Sequence, residues 1–309
     1  MRESFVRALT ALAESDPRIF LITGDLGFGV LTEFAERHPK QFLNAGVAEQ
    51  NMTGVATGLA LHGRIVFTYS IANFPTLRCL EQIRNDACYH DANVKIIAIG
   101  GGFSYGTLGV SHHATEDLAI LRALPQITVV APGDLWEAAE AAKAIAYAPG
   151  TAYLRLDKTA APDTRRPNES FQLGRARRLR EGQDLTLIAT GGILGVALAA
   201  ADELGVRGVA CRVLSMHTVK PLDADAVLGA ARETGGILTI EEHTIHGGLG
   251  GAIAETCMEA GIVPGVFARV GLRADFSSTV GSQAYLRARY GLDASSIAAR
   301  ALALVGRAN

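Results

Sequence analysis

Val94-Lys-Ile-Ile-Ala-Ile99 runs straight into Gly100-Gly-Gly-Phe-Ser-Tyr-Gly-Thr-Leu-Gly-Val-Ser-His112-His113-Ala-Thr-Glu-Asp117. A short apolar run bounded by glycines reads as a strand buried on both faces, as in a parallel sheet covered by helices. Loops at the carboxyl ends of such strands are where doubly wound sheets place their sites. The same signal recurs at residues 19–23, 128–131 and 153–156, and Ala/Leu-rich helical segments such as 47–61 and 135–146 lie between the runs. The alternation pauses at 157–174 (DKTAAPDTRRPNESFQLG), a polar stretch with two prolines that suits a connection between domains. A second strand–helix series follows, with runs at 185–190, 209–214 and 237–241. The expected fold class is therefore α/β, with two doubly wound domains at residues 1–167 and 168–309.

Composition narrows the function. With 49% hydrophobic residues in 309, the chain can bury two cores. A net charge of −2 and short, isolated Arg-Arg pairs give no basic footprint, so a nucleic-acid partner is not expected. Cys79, Cys88, Cys211 and Cys257 form no C-x-x-C and read as reduced thiols of a cytoplasmic protein. MRESFVRALTALAESD reads as an amphipathic helix, not a signal peptide. No run reaches the ~18 apolar residues of a membrane helix, so no membrane partner is expected.

Gly24-Asp-Leu-Gly27-Phe-Gly29 follows a strand, but its spacing is G-x-x-G-x-G, and no G-x-x-x-x-G-K-[ST] occurs. A dinucleotide or P-loop site is not supported. In Asn44-Ala-Gly-Val-Ala-Glu49-Gln-Asn-Met52-Thr-Gly-Val55-Ala56-Thr-Gly-Leu59, helical spacing marks Met52, Val55, Ala56 and Leu59 as a buried face, with Glu49 one turn earlier on the same side. Either Glu49 caps the helix in water, or it is a buried carboxylate that needs a partner. Ile71, Phe74 and Leu77 recur every third residue near an expected helix start; they read as core or as the lining of a slot for a flat ring. His112 and His113 suit acid–base work or ligand contact. A structural pair is the plainer alternative, and adjacent histidines need not converge on one metal, so no metal site is assigned.

Taken together these segments resemble the C-terminal half of transketolases, and most closely the free-standing C-terminal subunits of split transketolases. The likeness runs in order along the chain: TGDL (23–26), NAGVAEQNM (44–52), LEQIRND (80–86), SHHATEDLAILRALP (111–125), VVAPGD (129–134), AYLRLDK (152–158), SMHTVKPLD (215–223), TIEEHTIHGGLGGAIAE (239–255) and RYGLDASSI (289–297). Deoxyxylulose-phosphate synthases and 2-oxo-acid dehydrogenase β-subunits share the plan.

The resemblance implies a thiamine diphosphate pyrimidine-binding domain followed by a transketolase C-terminal-like domain. Glu49 would hydrogen-bond N1′ of the aminopyrimidine and stabilise its imino tautomer. Such a role would give a buried carboxylate its partner. Phe74 and Ile71 fall on the two aromatic positions around the ring; Ile71 departs from the usual Phe and offers apolar contact only. Asp25 falls on an acidic position near the cofactor and the subunit contact. His112 falls on a sugar-contacting histidine, and Arg2 and Arg155 on phosphate-binding arginines; for Arg155 a surface or interdomain salt bridge is the plainer alternative, since Asp157 and Asp163 are near in sequence. Arg78 matches a phosphate-binding arginine of the deoxyxylulose-phosphate synthases. Arginine suits that task because its planar fork holds two oxygens at once.

Family members hold Mg2+ and the diphosphate on a G-D-G segment with a downstream Asn, and this sequence has no G-D-G. The resemblance thus implies an N-terminal transketolase-like partner subunit, an α2β2 heterotetramer, and a chain inert by itself. The implied activity is transfer of a two-carbon ketol unit from a ketose, phosphorylated or not, to an aldose in carbohydrate metabolism. Two positions depart from the family: Leu108 replaces an Asp that contacts a donor hydroxyl, and Gly100 replaces a phosphate-contacting His. These departures motivate an alternative, decarboxylation of a 2-oxo acid with acyl or ketol transfer, as in 2-oxo-acid dehydrogenase β-subunits. A scaffolding subunit without chemistry is the third reading, and Glu49 and Phe74 argue against it.

Overall fold

A computed structural model describes residues 1–273 and 275–306. Ala274 and residues 307–309, the last three of the expected second domain, lie outside the described residues. The first sheet contains β1 (Ile19–Thr23), β2 (Phe42–Asn44), β3 (Ile65–Ile71), β4 (Val94–Ile99), β5 (Ile127–Val130) and β6 (Thr151–Leu156), all parallel. The second holds β7 (Arg177–Arg180), β8 (Leu185–Thr190), β9 (Cys211–Ser215), β11 (Ile237–Thr244) and β12 (Phe267–Leu272) in the order β12-β11-β8-β9-β7, with β7 antiparallel. β10 (Thr218–Lys220) comes from the second half of the chain but pairs antiparallel with β5, so the first sheet reads β10-β5-β6-β4-β3-β1-β2. The α/β fold expected from the apolar runs is present, as two largely parallel sheets.

Burial on both faces explains the continuous apolar strands. Every residue of β4 is buried. In β3, Ile65, Phe67 and Tyr69 point to one face, where the helices Arg2–Ser15 and Leu135–Tyr147 pack, and Phe5 meets the rings of Phe67 and Tyr69 at 6.2 and 6.5 Å. Val66 belongs to the other face, under the helices Glu49–Leu61 and Asp117–Ala123 and a π-helical turn, Ile83–Cys88. β1 and β3 are neighbours, yet the chain leaves β1 for β2 and β3 for β4, on opposite sides. Their carboxyl ends therefore open a crevice, the general position for a ligand in a doubly wound sheet.

The three-residue spacing of Ile71, Phe74 and Leu77 does not make a helix start. Ile71 ends β3, and residues 72–79 are successive turns.

Candidate active site

Glu49 opens the helix Glu49–Leu61 and is only 2% exposed. Its position in the first turn suits a negative charge, because the unpaired N–H groups there carry the positive end of the helix dipole. Its carboxylate Oε2 accepts a hydrogen bond from Arg78 Nη1 at 2.8 Å. The Arg78 guanidinium also lies over the Phe74 ring, 4.6 Å from its centroid. A Cβ at Gly24 would stand 3.4 Å from the Glu49 side chain and 3.7 Å from Ser70 Oγ, a buried hydroxyl with no partner among the described residues. A buried carboxylate, an adjacent aromatic ring and an unsatisfied hydroxyl fit the polar edge and flat face of an aminopyrimidine.

Phe74 and His112 meet edge-on, centroids 5.3 Å apart, and His112 lies 6.2 Å from the Tyr105 ring. Asn73 Nδ2 donates to the carbonyls of Ser111 and His113, at 3.2 and 2.7 Å, so the turn that carries Phe74 also positions the histidine loop. Burial, then the neighbouring His113, holds the His112 imidazole below its ordinary pKa, so it is neutral near pH 7 and can accept or donate through different nitrogens. The paired histidines diverge. His113 packs against Phe103, with Nε2 3.2 Å from the Gly106 carbonyl, while His112 stays with Phe74 and Tyr105.

Beyond Tyr105 the line continues to two cations. Lys158 Nζ sits 3.8 Å above the Tyr105 ring, and its pKa is lowered by burial and then by nearby Arg2. Arg2 and Lys158 line a cavity of about 490 Å3 with Ile99 and Asp157. The glycine at 100 now has a reason: at φ +92°, a Cβ there would overlap the Tyr105 ring. Tyr105 thus fills the space beside Gly100, the position where the resemblance implies a histidine. Neither Tyr105 nor Lys158 stands out in the sequence. The signal available was the glycine itself, whose missing side chain had to be replaced by something.

Asp25 has φ +56° at the end of β1 and exchanges two hydrogen bonds with Asn44, N to Oδ1 at 3.1 Å and Oδ1 from Nδ2 at 2.8 Å. Ile71 is half-buried beside the turn, its carbonyl accepting from Phe74 N at 2.8 Å. The structure thus brings Glu49, Arg78, Phe74, His112, Tyr105, Lys158 and Arg2 into one chain of neighbours.

Arg155 is the exception. It is 2% exposed, with Nε 3.1 Å from Asp157 Oδ1, Nη1 3.3 Å from Asp117 Oδ1 and Nη2 donating to the Glu242 carbonyl at 3.1 Å. A Cβ on Gly101 would overlap its Nε. A guanidinium enclosed and bonded in this way has no face left for a substrate phosphate, which corrects the sequence expectation. Around it runs a seam between the sheets. Phe103 N donates to Glu242 Oε1 at 2.6 Å, Gly192 N to Asp157 Oδ2 at 2.6 Å, and Ala119 N to His243 Nε2 at 3.3 Å. Glu241 caps the helix Leu249–Glu259 from below, accepting from Leu249 N and Gly250 N at 2.7 and 2.8 Å, and burial pushes its carboxyl up to about 7. A larger cavity, about 810 Å3, lies between the domains behind this histidine loop, lined by Asn73, Phe103, His113 and Tyr290; neither Glu49 nor His112 lines it.

Comparison with known proteins gives these features a family. Residues 1–164 match the transketolase pyrimidine-binding domain and residues 174–297 the transketolase C-terminal domain. An apulose-4-phosphate transketolase subunit from Phocaeicola vulgatus is 38% identical over 306 residues, spanning 98% of this chain and 97% of its own. A 6-deoxy-6-sulfo-D-fructose transketolase subunit from a Clostridium species is also 38% identical, over 100% of this chain and 95% of its own. A solved structure described as a split gene transketolase, inactive beta4 tetramer, superposes with a TM-score of 0.89 at 36% identity, covering 100% of this chain and 98% of the other. This chain belongs to the transketolase family, whose cofactor is thiamine diphosphate. Within it, the chain is the C-terminal subunit of a split, transketolase-like transferase. The comparisons do not favour the 2-oxo-acid alternative.

Proposed function

We propose that this subunit supplies the ring-side half of a thiamine diphosphate site for the transfer of a two-carbon ketol unit from a ketose to an aldose. The observation that carries the reading is the buried Glu49 carboxylate at the crevice, with Phe74 and His112 beside it. The bound cofactor would supply a nucleophilic carbon. Glu49 would hold the proton shared with N1′ of its aminopyrimidine. Phe74 would stack on the ring, Ile71 would exclude water at its edge, and Asp25 would line the cofactor and subunit contact. His112, neutral near pH 7, would exchange a proton with a donor hydroxyl. Leu108, 53% exposed at this loop, cannot accept from such a hydroxyl, which puts more of that task on His112.

Mg2+ and the diphosphate would be held by an N-terminal partner subunit, in a cytoplasmic α2β2 assembly, with the chain divided near residue 167. Arg2, with Lys158, would meet an anionic terminus of the substrate. The names of two relatives support this, one carrying a phosphate and the other a sulfo group on fructose. The test is reconstitution with the partner subunit, thiamine diphosphate and Mg2+, with ketose phosphates, sulfo-ketoses, free ketoses and 2-oxo acids offered as donors. Turnover of anionic ketoses only in the presence of both subunits is expected. Turnover of 2-oxo acids alone would overturn the reading.

A further inference from the structure

Arg78 makes two contacts that belong together chemically. Its Nη1 donates to Glu49 Oε2 at 2.8 Å, and its plane covers the Phe74 ring with Cζ 4.6 Å from the centroid. A flat, delocalised group that stacks on an aromatic ring and bonds a carboxyl group along its edge resembles an aminopyrimidine, whose N1′ would meet the same carboxyl group through a shared proton. The two partners differ in what they can tolerate. Glu49 is 2% exposed and costly to leave as an unpaired buried charge, whereas the Arg78 side chain is 46% exposed and can turn toward water. Its other guanidinium nitrogens have no partner among the described residues, so one hydrogen bond and one stacked face hold it in place.

We infer that Arg78 is an internal surrogate for the cofactor ring. It keeps Glu49 paired while the subunit is unloaded and gives way when an aminopyrimidine enters. Once displaced, it stands near Phe74 and His112 as an anion contact for the substrate. Arg78 is therefore a positioning residue for Glu49 before loading and a specificity residue afterwards. The inference rests on the reading of Glu49 and Phe74 as the ring site.

The test uses the isolated chain and the ring alone, 4-amino-2,5-dimethylpyrimidine, as probe, followed by NMR titration. Arg78→Met is expected to bind the probe at least about tenfold more tightly than the native chain. Arg78→Gln, which keeps a neutral donor, should fall between them and guards against a folding defect in the Met variant. In the native chain, added probe should shift the Arg78 Nε–Hε resonance as the side chain leaves Glu49. In the reconstituted enzyme, Arg78→Met should raise KM for an anionic donor without weakening cofactor binding. If Glu49→Gln weakens probe binding but neither Arg78 variant tightens it, the surrogate role is overturned and the ring site stands. If Glu49→Gln and Phe74→Ala both leave probe binding unchanged, the ring-site reading fails and this inference fails with it.

Discussion

Arg78 and Arg155 look alike in the sequence, where the resemblance implies a phosphate-binding role for each, yet the fold gives them opposite fates. Arg78 lies in the crevice with one hydrogen bond and an open flank. Arg155 lies in the seam between the sheets, where Asp117, Asp157 and the Glu242 carbonyl take up its donors. The crevice keeps an exposed apolar group and an underused polar one: Leu108 is about half exposed, and Ser70 Oγ has no partner among the described residues. The seam is buried and cross-linked. Availability for chemistry is thus set by how many partners a side chain already has, which residue type alone does not reveal.

The largest effect should come from the crevice. Glu49→Gln keeps the shape but cannot hold the shared proton, and a loss of roughly 100- to 10,000-fold in turnover is expected with an unchanged fold. Hydrogen–deuterium exchange at C2 of the cofactor in the reconstituted enzyme reads this directly. Native exchange rates in the variant would remove Glu49 from the crevice's chemistry.

Next is the seam. Arg155→Met leaves Asp117 and Asp157 buried without their cation, and the loss of one partner of such a set costs about 3–5 kcal/mol. Urea unfolding should show the drop, and any fall in activity should be equal for phosphorylated and unphosphorylated donors. A selective rise in KM for phosphorylated donors would return Arg155 to the crevice and break the contrast with Arg78.

Acid should probe the seam more gently. Burial lowers the pKa of His243 to about 4, and burial followed by Arg177 lowers that of His217 to about 3. In the unfolded chain both titrate near 6.5. Between those values the unfolded state binds protons that the folded state refuses, so stability falls as pH drops from about 6.5 toward 4. His243 alone contributes up to about 3 kcal/mol to that slope. Its Nδ1 lies 2.7 Å from the Thr244 carbonyl and its Nε2 accepts from Ala119 N, the arrangement of a neutral ring. Denaturation midpoints at pH 7 and pH 5 check this, and His243→Asn should flatten the difference.

The smallest effect concerns the far end of the crevice. Arg2→Ala should raise KM for anionic donors about tenfold, the worth of one charge-assisted hydrogen bond. A neutral donor should be unaffected. Steady-state kinetics with matched phosphorylated and free ketoses separates the outcomes.

Much of the fold was legible because burial on both faces leaves an apolar run in the sequence, as in β1 and β4. β3 was not, although it is central: Thr68, Tyr69 and Ser70 interrupt its apolar pattern while remaining buried. β7, whose sequence is RRLR, reads as a charged loop, but Arg177 is buried among Asp134, Glu137 and Glu169. For the site, helical spacing pointed Glu49 inward, and family likeness supplied a candidate partner. Asp157 stands two residues along the chain and was a visible partner, but Asp117 and the Glu242 carbonyl, which complete the enclosure of Arg155, come from separate elements. Position 155 on a strand cannot show which of them it will meet.

The three residues of β10 carry a consequence for how the chain can be cut. Thr218 lies opposite Val130 and Lys220 opposite Val129, and Lys220 Nζ donates to the Arg122 and Leu124 carbonyls. That short strand closes the outer edge of β5, which would otherwise offer a row of unpaired N–H and C=O groups. A fragment stopped at residue 167 would keep every parallel strand of the first sheet and lose its selvedge. Its first symptom should be sticking of one molecule to the next along β5, so solubility, rather than secondary-structure content, would report how far the second half of the chain guards the first.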